Sequence, residues 1–261
     1  MNRAVTMFAV LAMLSLPLAH AGGSCQVKSG PTTAALVELY TSEGCSSCPP
    51  ADEALRAIRQ SAAPHAVVIP LALHVSYWDQ IGWKDLFAQK TFDTRQSMLV
   101  ASGGGRVVYT PQFFVNGREL RNWQTVLPDT IGKVNSHPAK AAIALKSTLQ
   151  PSGALLLEVV ADARPTSGRR ALFVAVSESQ LVSRVTRGEN SGATLRHGDT
   201  VRTWIGPIAL ENGKASLLQE IAVAPGWNPQ RLQATAFVQD VDDGSVLQAV
   251  STAQCGPSAG S

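Results

Sequence analysis

The sequence lacks the features that usually mark a nucleic-acid-binding or membrane-surface protein. Its 22 Lys and Arg residues against 19 Asp and Glu residues give a formal net charge of only +3 at pH 7. It has no cluster of basic residues with interleaved aromatic residues, so we expect no binding to nucleic acid and none to an anionic membrane through a polybasic segment. The Gly103–Gly105 run is no phosphate loop, because it lacks the Lys-Ser/Thr pair and a following helix.

Long apolar runs are absent after the amino terminus. Residues 1–21 have the pattern of a secretory signal peptide: Arg3 supplies the positive charge, residues 5–16 are apolar, and residues 19–21 form a small–x–small cleavage site. The apolar stretch is shorter than the about 20 residues that span a bilayer, although an uncleaved anchor is the alternative. We therefore expect an exported protein, periplasmic or secreted, with no transmembrane anchor after the signal is removed.

Cysteine is scarce, with four residues in the whole chain: Cys25, Cys45, Cys48 and Cys255. In an oxidising compartment an even number usually means pairing. Cys45 and Cys48 are the close pair. Cys25 and Cys255 lie near the two ends of the mature chain, so a structural disulfide between them is the economical interpretation. The alternative is that these two are free thiols in loose tails.

The Cys45-Ser46-Ser47-Cys48 tetrapeptide carries the most chemical information. It follows an apolar run and opens a helical pattern, which places Cys45 at the exposed amino end of a helix. Free amide N–H groups and the helix dipole would stabilise a thiolate there and lower its pKa below the ~8.5 of a free cysteine. Cys48, shielded by the first turn, could then close a disulfide, which is the minimum machinery for thiol–disulfide exchange. The alternative is a permanent structural disulfide.

The first part of the mature chain has mixed periodicities. The order predicted from the sequence is strand, helix, strand, helical insertion, hairpin and closing helix. Residues 34–40 and 66–75 are strand-like runs around a helical stripe, which predicts a βαβ unit with a parallel strand pair. Asn116-Gly117 between two apolar runs is a strong hairpin signal. Residues 77–102 hold aromatic residues at partly helical spacing and predict a helical insertion.

The pattern changes near Pro138. From there, short strand-like runs recur between turns, with no clear helix among them: 141–149, 154–161, 171–178, 200–205, 215–224, 231–239 and 245–252. Roughly 240 mature residues suit two ordinary domains or one large one. The sequence therefore predicts an α/β domain over 34–137 with a helical insertion, and a mainly β, sandwich-like domain over 138–255.

Four segments resemble those of one bacterial family of exported thioredoxin-like proteins of unknown function. They read VELYTSEGCSSCPPAD at 37–52, HVSYWDQIGWKD at 74–85, YTPQ at 109–112 and GENSG at 188–192. The resemblance implies a thioredoxin-like fold for residues 34–137. It also implies that Pro111 is cis and faces the disulfide, leaving the Thr110 backbone to align a partner chain. Glu38 would be a buried acid that accepts a proton from Cys48.

The remaining candidates have structural alternatives. Glu38 could instead be satisfied by the backbone or by a partner such as Lys84. His74 ends the second strand, on the edge where βαβ folds place ligands, and with Cys45 and Cys48 it could bind a soft metal such as Cu(I). It could also simply hydrogen-bond within the insertion. The spacing of Glu189, His197 and Asp199 matches no metal-binding motif, so these three are interpreted as loop residues. Trp78, Trp83 and Phe87 are interpreted as core residues of the insertion.

The leading hypothesis is an exported thiol–disulfide oxidoreductase that acts on protein thiols or disulfides and needs no cofactor. Cys45 would attack a substrate disulfide and Cys48 would resolve the mixed disulfide, in a direction set by the potential and by an unidentified upstream redox partner. Two other classes stay open. One is a Cu(I) or other soft-metal protein using Cys45, Cys48 and His74. The other is a non-catalytic binding module with a structural disulfide.

Overall fold

A computed structural model describes residues 23–165 and 168–255; the predicted signal peptide lies outside them. Three helices and fourteen strands follow one another in this part of the chain. In chain order they are β1 Ser24–Lys28, β2 Ala35–Thr41, α1 Pro49–Ser61, β3 Val68–His74, α2 Lys90–Ser102, β4 Gln112–Val115, β5 Arg118–Glu119, α3 Trp123–Asn135, β6 Ala141–Leu149, β7 Leu155–Ala163, β8 Arg170–Glu178, β9 Leu181–Arg184, β10 Thr194–His197, β11 Thr200–Ala209, β12 Lys214–Ile221, β13 Leu232–Asp240 and β14 Val246–Ser251.

An eight-stranded sheet runs through the molecule in the order β14-β13-β8-β11-β3-β2-β4-β5. β2 and β3 are parallel and connected by α1, as the sequence predicts. β11 joins β3 in parallel at the pair Thr200 and Ala72, so strands from both sides of residue 138 share one sheet. β9 and β10 form a separate two-stranded sheet.

The layers follow from the alternation of side chains along each strand. One face of the large sheet packs α1 and α3 against β2, β3 and β4. Beside these helices, the second sheet, β1-β6-β7-β12, packs on β8, β13 and β14. The opposite face carries α2, whose Phe92 and Leu99 meet the aromatic residues Phe173 and Phe237.

The strand-like runs after residue 138 all form strands with similar bounds. The helical insertion predicted for 77–102 is wrong for its first half, because residues 77–89 form turns and bends and only Lys90–Ser102 is helical. β1, β9 and β10 were not predicted. The division into two domains stays a prediction.

Cys25 and Cys255 form a disulfide, which confirms the predicted pairing. β1 carries Cys25 and pairs with β6, and Cys255 ends a short 3₁₀ turn that follows β14. Among the described residues, no helix is both long and apolar enough to span a membrane.

Candidate functional site

The Cys45–Cys48 disulfide lies at the junction between β2 and α1. Ala51, Leu55 and Ile58 hold α1 on the sheet by their buried side chains. The connecting turn is fixed by backbone hydrogen bonds: Cys45 N donates to Ser42 O at 3.2 Å, and Cys48 N donates to Cys45 O at 3.2 Å. These bonds bring the two cysteines to a Cα–Cα distance of 5.4 Å, and their sulfur atoms are bonded.

Both cysteines are inaccessible in this oxidised state. Cys45 and Cys48 each expose 0% of their surface, whereas the intervening Ser46 and Ser47 are exposed. The expectation that Cys45 is the more exposed thiol is therefore wrong for the disulfide form. The sulfur of Cys45 lies 3.4 Å from the hydroxyl of Ser47, which is a polar neighbour.

The amide groups at the start of α1 are not free to stabilise a thiolate. Pro49 and Pro50 have no N–H, and the next two donors, Ala51 N and Asp52 N, both bond Cys48 O at 2.9 and 3.1 Å. The predicted stabilisation of a Cys45 thiolate by free first-turn amides is thus wrong. The Pro-Pro sequence removes two donors, and Cys48, as the residue before the helix, accepts from the others.

A distant loop covers the turn. The carboxylate of Glu189 accepts a hydrogen bond from Ser46 N at 2.9 Å, and the side-chain amide of Asn190 donates to Glu43 O and Cys45 O, both at 2.9 Å. The sequence alone does not mark Asn190 as a functional residue, and it predicts only a loop position for Glu189. The only sequence signal was the Gly188–Gly192 motif, because the contacts join residues more than 140 positions apart.

Thr110 and Pro111 lie at the same edge of the sheet as the cysteines. The bond between them is cis, as the resemblance implies. Tyr40 pairs with Gln112 across β2 and β4, so Pro111 lies at the level of Thr41, where β2 leads into the cysteine turn. The Thr110 hydroxyl is buried and has no hydrogen-bond partner among the described residues.

Glu38 is not placed on the disulfide side of the sheet. Its neighbours Val37 and Leu39 face α1, so the alternating side chain of Glu38 points to the opposite face. There it is fully buried and paired with Arg95, whose Nε and Nη2 donate to its two carboxylate oxygens at 2.6 and 2.9 Å. Its partner is therefore Arg95 and not Lys84, and it is not positioned to take a proton from Cys48.

Two buried histidine–carboxylate pairs lie at the end of β3 and in β10. His74 Nδ1 is 2.7 Å from an Asp85 carboxylate oxygen, and His197 Nε2 is 3.0 Å from Glu43. The two imidazole rings contact edge to face with centroids 5.1 Å apart. Phe87 packs against both rings and is buried, as expected for a core residue.

These pairs shift the pKa values of their members. Burial would lower the pKa of His74, but the charge and hydrogen bond of Asp85 outweigh it and raise that pKa. Burial would raise the pKa of Asp85, and the charge and hydrogen bond of His74 lower it instead. For Glu43, burial is likewise outweighed, chiefly by the hydrogen bond to His197, and its pKa is lowered. Burial raises the pKa of Asp52, which has no such pair.

The residues interpreted as loop or core each have a specific contact. His197 is buried in β10, and Asp199 accepts two hydrogen bonds from Arg59 at 2.9 Å. Trp83 donates its indole N–H to Glu43 at 2.7 Å. Trp78 is half-buried against the core on the α2 side. A sequence that separates these partners by up to 154 positions gives no local signal for the pairs.

Among residues 23–165 and 168–255, no three His, Cys, Asp or Glu side chains are arranged to hold a metal ion. His74 Nε2 and His197 Nδ1 are nevertheless buried without a hydrogen-bond partner in this part of the chain. The cysteines are oxidised, so the metal set Cys45, Cys48 and His74 has no thiolate to offer in this state. The metal alternative stays a prediction.

A polar cleft of about 180 Å³ opens beside the first turn of α1. Its lining comes from α1 and β10: Pro49, Asp52, Glu53, Thr194, Leu195 and Arg196. Because Pro49 directly follows Cys48, the cleft is adjacent to the disulfide. Its wall carries the basic side chain of Arg196 and the acidic side chains of Asp52 and Glu53. The cleft is too small to enclose a drug-sized ligand.

Comparison with known proteins identifies a family of unknown function and two solved structures with a similar fold. The family described as "Protein of unknown function (DUF1223)" matches residues 36–239. No curated protein matches the chain. The protein AGR_C_4864 from Agrobacterium tumefaciens is 22% identical with a TM-score of 0.60, over 85% of this chain and 95% of that one. HBP35 of Porphyromonas gingivalis is 17% identical with a TM-score of 0.67, over 89% of this chain and 79% of that one. At these identities the similarity concerns the fold alone.

Proposed function

Because the chain belongs to the DUF1223 family, whose function is unknown, we propose from the site itself that it is an exported thiol–disulfide oxidoreductase-like protein. The observation that carries the proposal is the Cys45–Cys48 disulfide at the start of α1. It follows the edge of the sheet where Thr110 and Pro111 precede β4 and where the buried His74 ends β3. Export is proposed from residues 1–21 and fits the two disulfides.

We also infer a thioredoxin-like arrangement for residues 34–137. The supporting features are the parallel β2–α1–β3 unit, the antiparallel β4–β5 hairpin and the closing helix α3. In this arrangement Thr110 would present its backbone to an extended partner chain.

The exchange proceeds by two displacements at sulfur. In the reduced protein the Cys45 thiolate attacks one sulfur of a partner's disulfide, forming a mixed disulfide and releasing the partner's other sulfur as a thiolate, which takes up a proton. The Cys48 thiol loses its proton, and its thiolate attacks the Cys45 sulfur, which restores the Cys45–Cys48 bond and releases the partner's second thiolate. The partner disulfide is reduced by two electrons and the Cys45–Cys48 dithiol is oxidised. An upstream dithiol partner returns the electrons, and the reverse sequence oxidises a partner dithiol.

Asp52 takes the proton-accepting role that the resemblance implies for Glu38. It lies four residues after Cys48, so the two side chains are neighbours about one helical turn apart. Burial raises the pKa of Asp52 and the charges of His74 and His197 oppose that effect, so its carboxyl can hold a proton at higher pH than an exposed Asp. Glu38, paired with Arg95, has no part in this step.

Trapping of the mixed disulfide tests the proposal. We expect Cys48→Ser to accumulate a mixed disulfide through Cys45 with a model disulfide substrate, because the resolving thiol is gone. Cys45→Ser should form none, and a double Cys25→Ser, Cys255→Ser variant is the control that should exchange like the native protein. Mass spectrometry of the trapped species identifies the bonded cysteine.

The reduction potential of the Cys45–Cys48 pair decides between the alternatives. A value between about −120 and −270 mV supports exchange, whereas a value below about −300 mV identifies a structural disulfide and overturns the proposal. Stoichiometric Cu(I) binding by the reduced protein, lost in Cys45→Ser and in Cys48→Ser, would instead favour the metal-binding class.

A further inference from the structure

The loop of residues 186–193 is hydrogen-bonded to the backbone of the cysteine turn, and we call it the strap. It connects β9 to β10, and its ends are fastened to each other: Val185 N donates to Ala193 O at 3.0 Å and Gly192 N to Val185 O at 2.8 Å. Its tip reaches across to the cysteine turn through Glu189 and Asn190. The strap is thus a defined turn fastened to the backbone of the segment that carries Cys45.

The strap is fitted to the segment next to the turn. Gly188 has a φ of +74° and lies so close to Trp83 that a Cβ built on it would be 3.2 Å from the Trp83 Cβ. A side chain at this position would be strained and would push the strap away from Trp83. Trp83 in turn donates to Glu43, whose carbonyl accepts from Asn190. These contacts place the strap tip over Cys45 and explain the glycine at the start of the GENSG motif.

We propose that the strap restrains the reactivity of the Cys45–Cys48 pair: Asn190 fastens the loop over the turn, Glu189 disfavours the Cys45 thiolate, and a partner chain activates the pair by displacing both. This inference rests on the proposed exchange function. It makes Glu189 a positioning residue, because it contacts the turn and not the reacting sulfur.

Electrostatics gives the direction of the Glu189 effect. Its carboxylate is bonded to the amide of the residue that directly follows Cys45, so a thiolate on Cys45 would form close to an existing negative charge. Like charges disfavour ionisation. The same bond also occupies the Ser46 N–H, and the neighbouring first-turn amides are absent or bonded to Cys48 O. Displacing Glu189 removes the repulsion and frees one donor.

The strap joins the two strands of the smallest sheet. Among the described residues β9 and β10 pair only with each other, and the buried His197 of β10 bonds Glu43 in the cysteine turn. Glu189 is exposed, so a binding chain can reach it. An extended partner that donates backbone N–H groups to Glu189, or supplies a basic side chain, would compete directly with the Ser46 bond.

The test is the acidity of Cys45, measured by the ultraviolet absorbance of its thiolate. In the Cys48→Ser protein, Cys45 is the one free thiol while Cys25 and Cys255 stay oxidised. Adding Glu189→Gln keeps an oxygen acceptor for Ser46 but removes the charge. We expect the Cys45 pKa to fall by about half to one unit, which is about a three- to tenfold larger thiolate fraction below the pKa. Glu211→Gln, an exposed carboxylate on another turn, is the matched control and should leave it unchanged.

A second measurement varies the salt concentration. Raising the ionic strength to about 1 M shortens the screening length to about 3 Å, so the Cys45 pKa should fall in the Cys48→Ser protein and stay constant once Glu189→Gln is added. With both cysteines present, Asn190→Ala should speed reduction of the disulfide by dithiothreitol several-fold.

An unchanged or higher Cys45 pKa in Glu189→Gln would overturn the restraint. So would a reduction rate in Asn190→Ala equal to that of the native protein. These results are distinguishable from failure of the exchange function, because trapping by Cys48→Ser is scored separately. If the mixed disulfide is trapped but the Cys45 pKa is unchanged, only the restraint by the strap is contradicted. If no mixed disulfide is trapped, the exchange function is contradicted.

Discussion

Charged side chains inside the protein are held in specific pairs. Glu38 binds Arg95 by two hydrogen bonds, and the guanidinium of Arg95 lies 4.5 Å from the ring centroid of Trp204. His74 and Asp85 form the second pair, with side chains exposed by 1% and 0%. Such pairing is required because an isolated buried charge costs far more than one that is paired and hydrogen-bonded. The first pair joins α2 to β2, and the second joins the segment before α2 to the end of β3.

The His74–Asp85 pair should make stability depend on pH. The raised pKa of His74 contributes stability that is complete below about pH 6.5, its unfolded value, and is lost as the pH rises through the folded value. The lowered pKa of Asp85 contributes stability that is present above about pH 3.9 and is lost as the pH falls through its folded value. The pair therefore stabilises the fold most between about pH 4 and about pH 6.5.

We expect Asp85→Asn to lower the free energy of unfolding by about 3–5 kcal/mol near pH 5, since it leaves a buried imidazolium unpaired. The loss should be smaller once the pH exceeds the folded pKa of His74, because the imidazole is then neutral. Urea unfolding at several pH values measures the loss near pH 5 and its decrease at higher pH. Asp162→Asn, which removes an exposed carboxylate, is the control. A loss that is independent of pH would contradict the assigned charges.

At the scale of residues, the sequence could identify the chemistry but not the environment. Cys45, Cys48 and Pro111 stand out because local spacing and the resemblance mark them. Glu189 and Asn190 do not, since their partners are more than 140 positions away. Glu38 is not a catalytic residue for another reason. Side chains alternate along β2, so the side chain of Glu38 lies on the face of the sheet that packs against α2. Its partner Arg95 belongs to α2, and the sequence does not reveal how that helix packs.

At the scale of elements, runs of apolar residues predicted the strands well, and side-chain competition explains the main error. Residues 77–89 have aromatic spacing typical of a helix, but their aspartates bind backbone amides directly. Asp79 accepts from Asp85 N at 3.1 Å, and Asp85 accepts from Phe87 N at 2.8 Å. Such bonds offer the backbone an alternative to the helical ladder. β9 and β10 are four residues each, too short for a periodic signal.

The hairpin between β4 and β5 depends on a glycine. Asn116 and Gly117 have φ values of +45° and +80°, as a type I′ turn requires. A Cβ on Gly117 would lie 1.8 Å from the carbonyl oxygen of Gly244, so the turn is also packed against the β13–β14 connection. The Asn116 side chain accepts from Leu36 N at 2.7 Å, which ties the same turn to β2.

We expect Gly117→Ala to destabilise the protein by at least about 2 kcal/mol, because strain from positive φ adds to an overpacked contact. Gly153→Ala is the matched control: it also has positive φ, but nothing lies within 4 Å of its Cβ position. Thermal and urea unfolding then compare Gly153→Ala, which introduces backbone strain alone, with Gly117→Ala, which introduces the same strain and the contact with Gly244. Equal losses would show that the Gly244 contact contributes nothing.

At the scale of the whole molecule, the large sheet is continuous across the boundary predicted near Pro138. Ala72 N donates to Asp199 O at 2.9 Å, where β3 meets β11. The sequence could reveal a change of pattern at that boundary. It could not reveal that β11 pairs with β3, because the two strands are more than 120 residues apart and their pairing produces no local sequence pattern. The cysteine turn, which joins β2 to α1, is likewise contacted by a segment from the other side of this boundary, the strap.

The Cys25–Cys255 disulfide should stabilise the molecule through its long loop. It closes a loop with a sequence separation of 230, against a separation of 3 for Cys45–Cys48. The chain-entropy treatment gives about 5 kcal/mol for so long a loop, and measured bridges usually contribute about 2–4 kcal/mol.

Replacing both Cys25 and Cys255 by serine should therefore lower the unfolding free energy by about 2–4 kcal/mol, mostly by increasing the conformational freedom of the unfolded chain. The double Cys45→Ser, Cys48→Ser variant, measured by the same urea unfolding, should lose less, because the same treatment gives only about 2 kcal/mol for so short a loop. A loss at the short bridge equal to that at the long one would show that local packing at the cysteines, and not the closure of the chain, sets the stability.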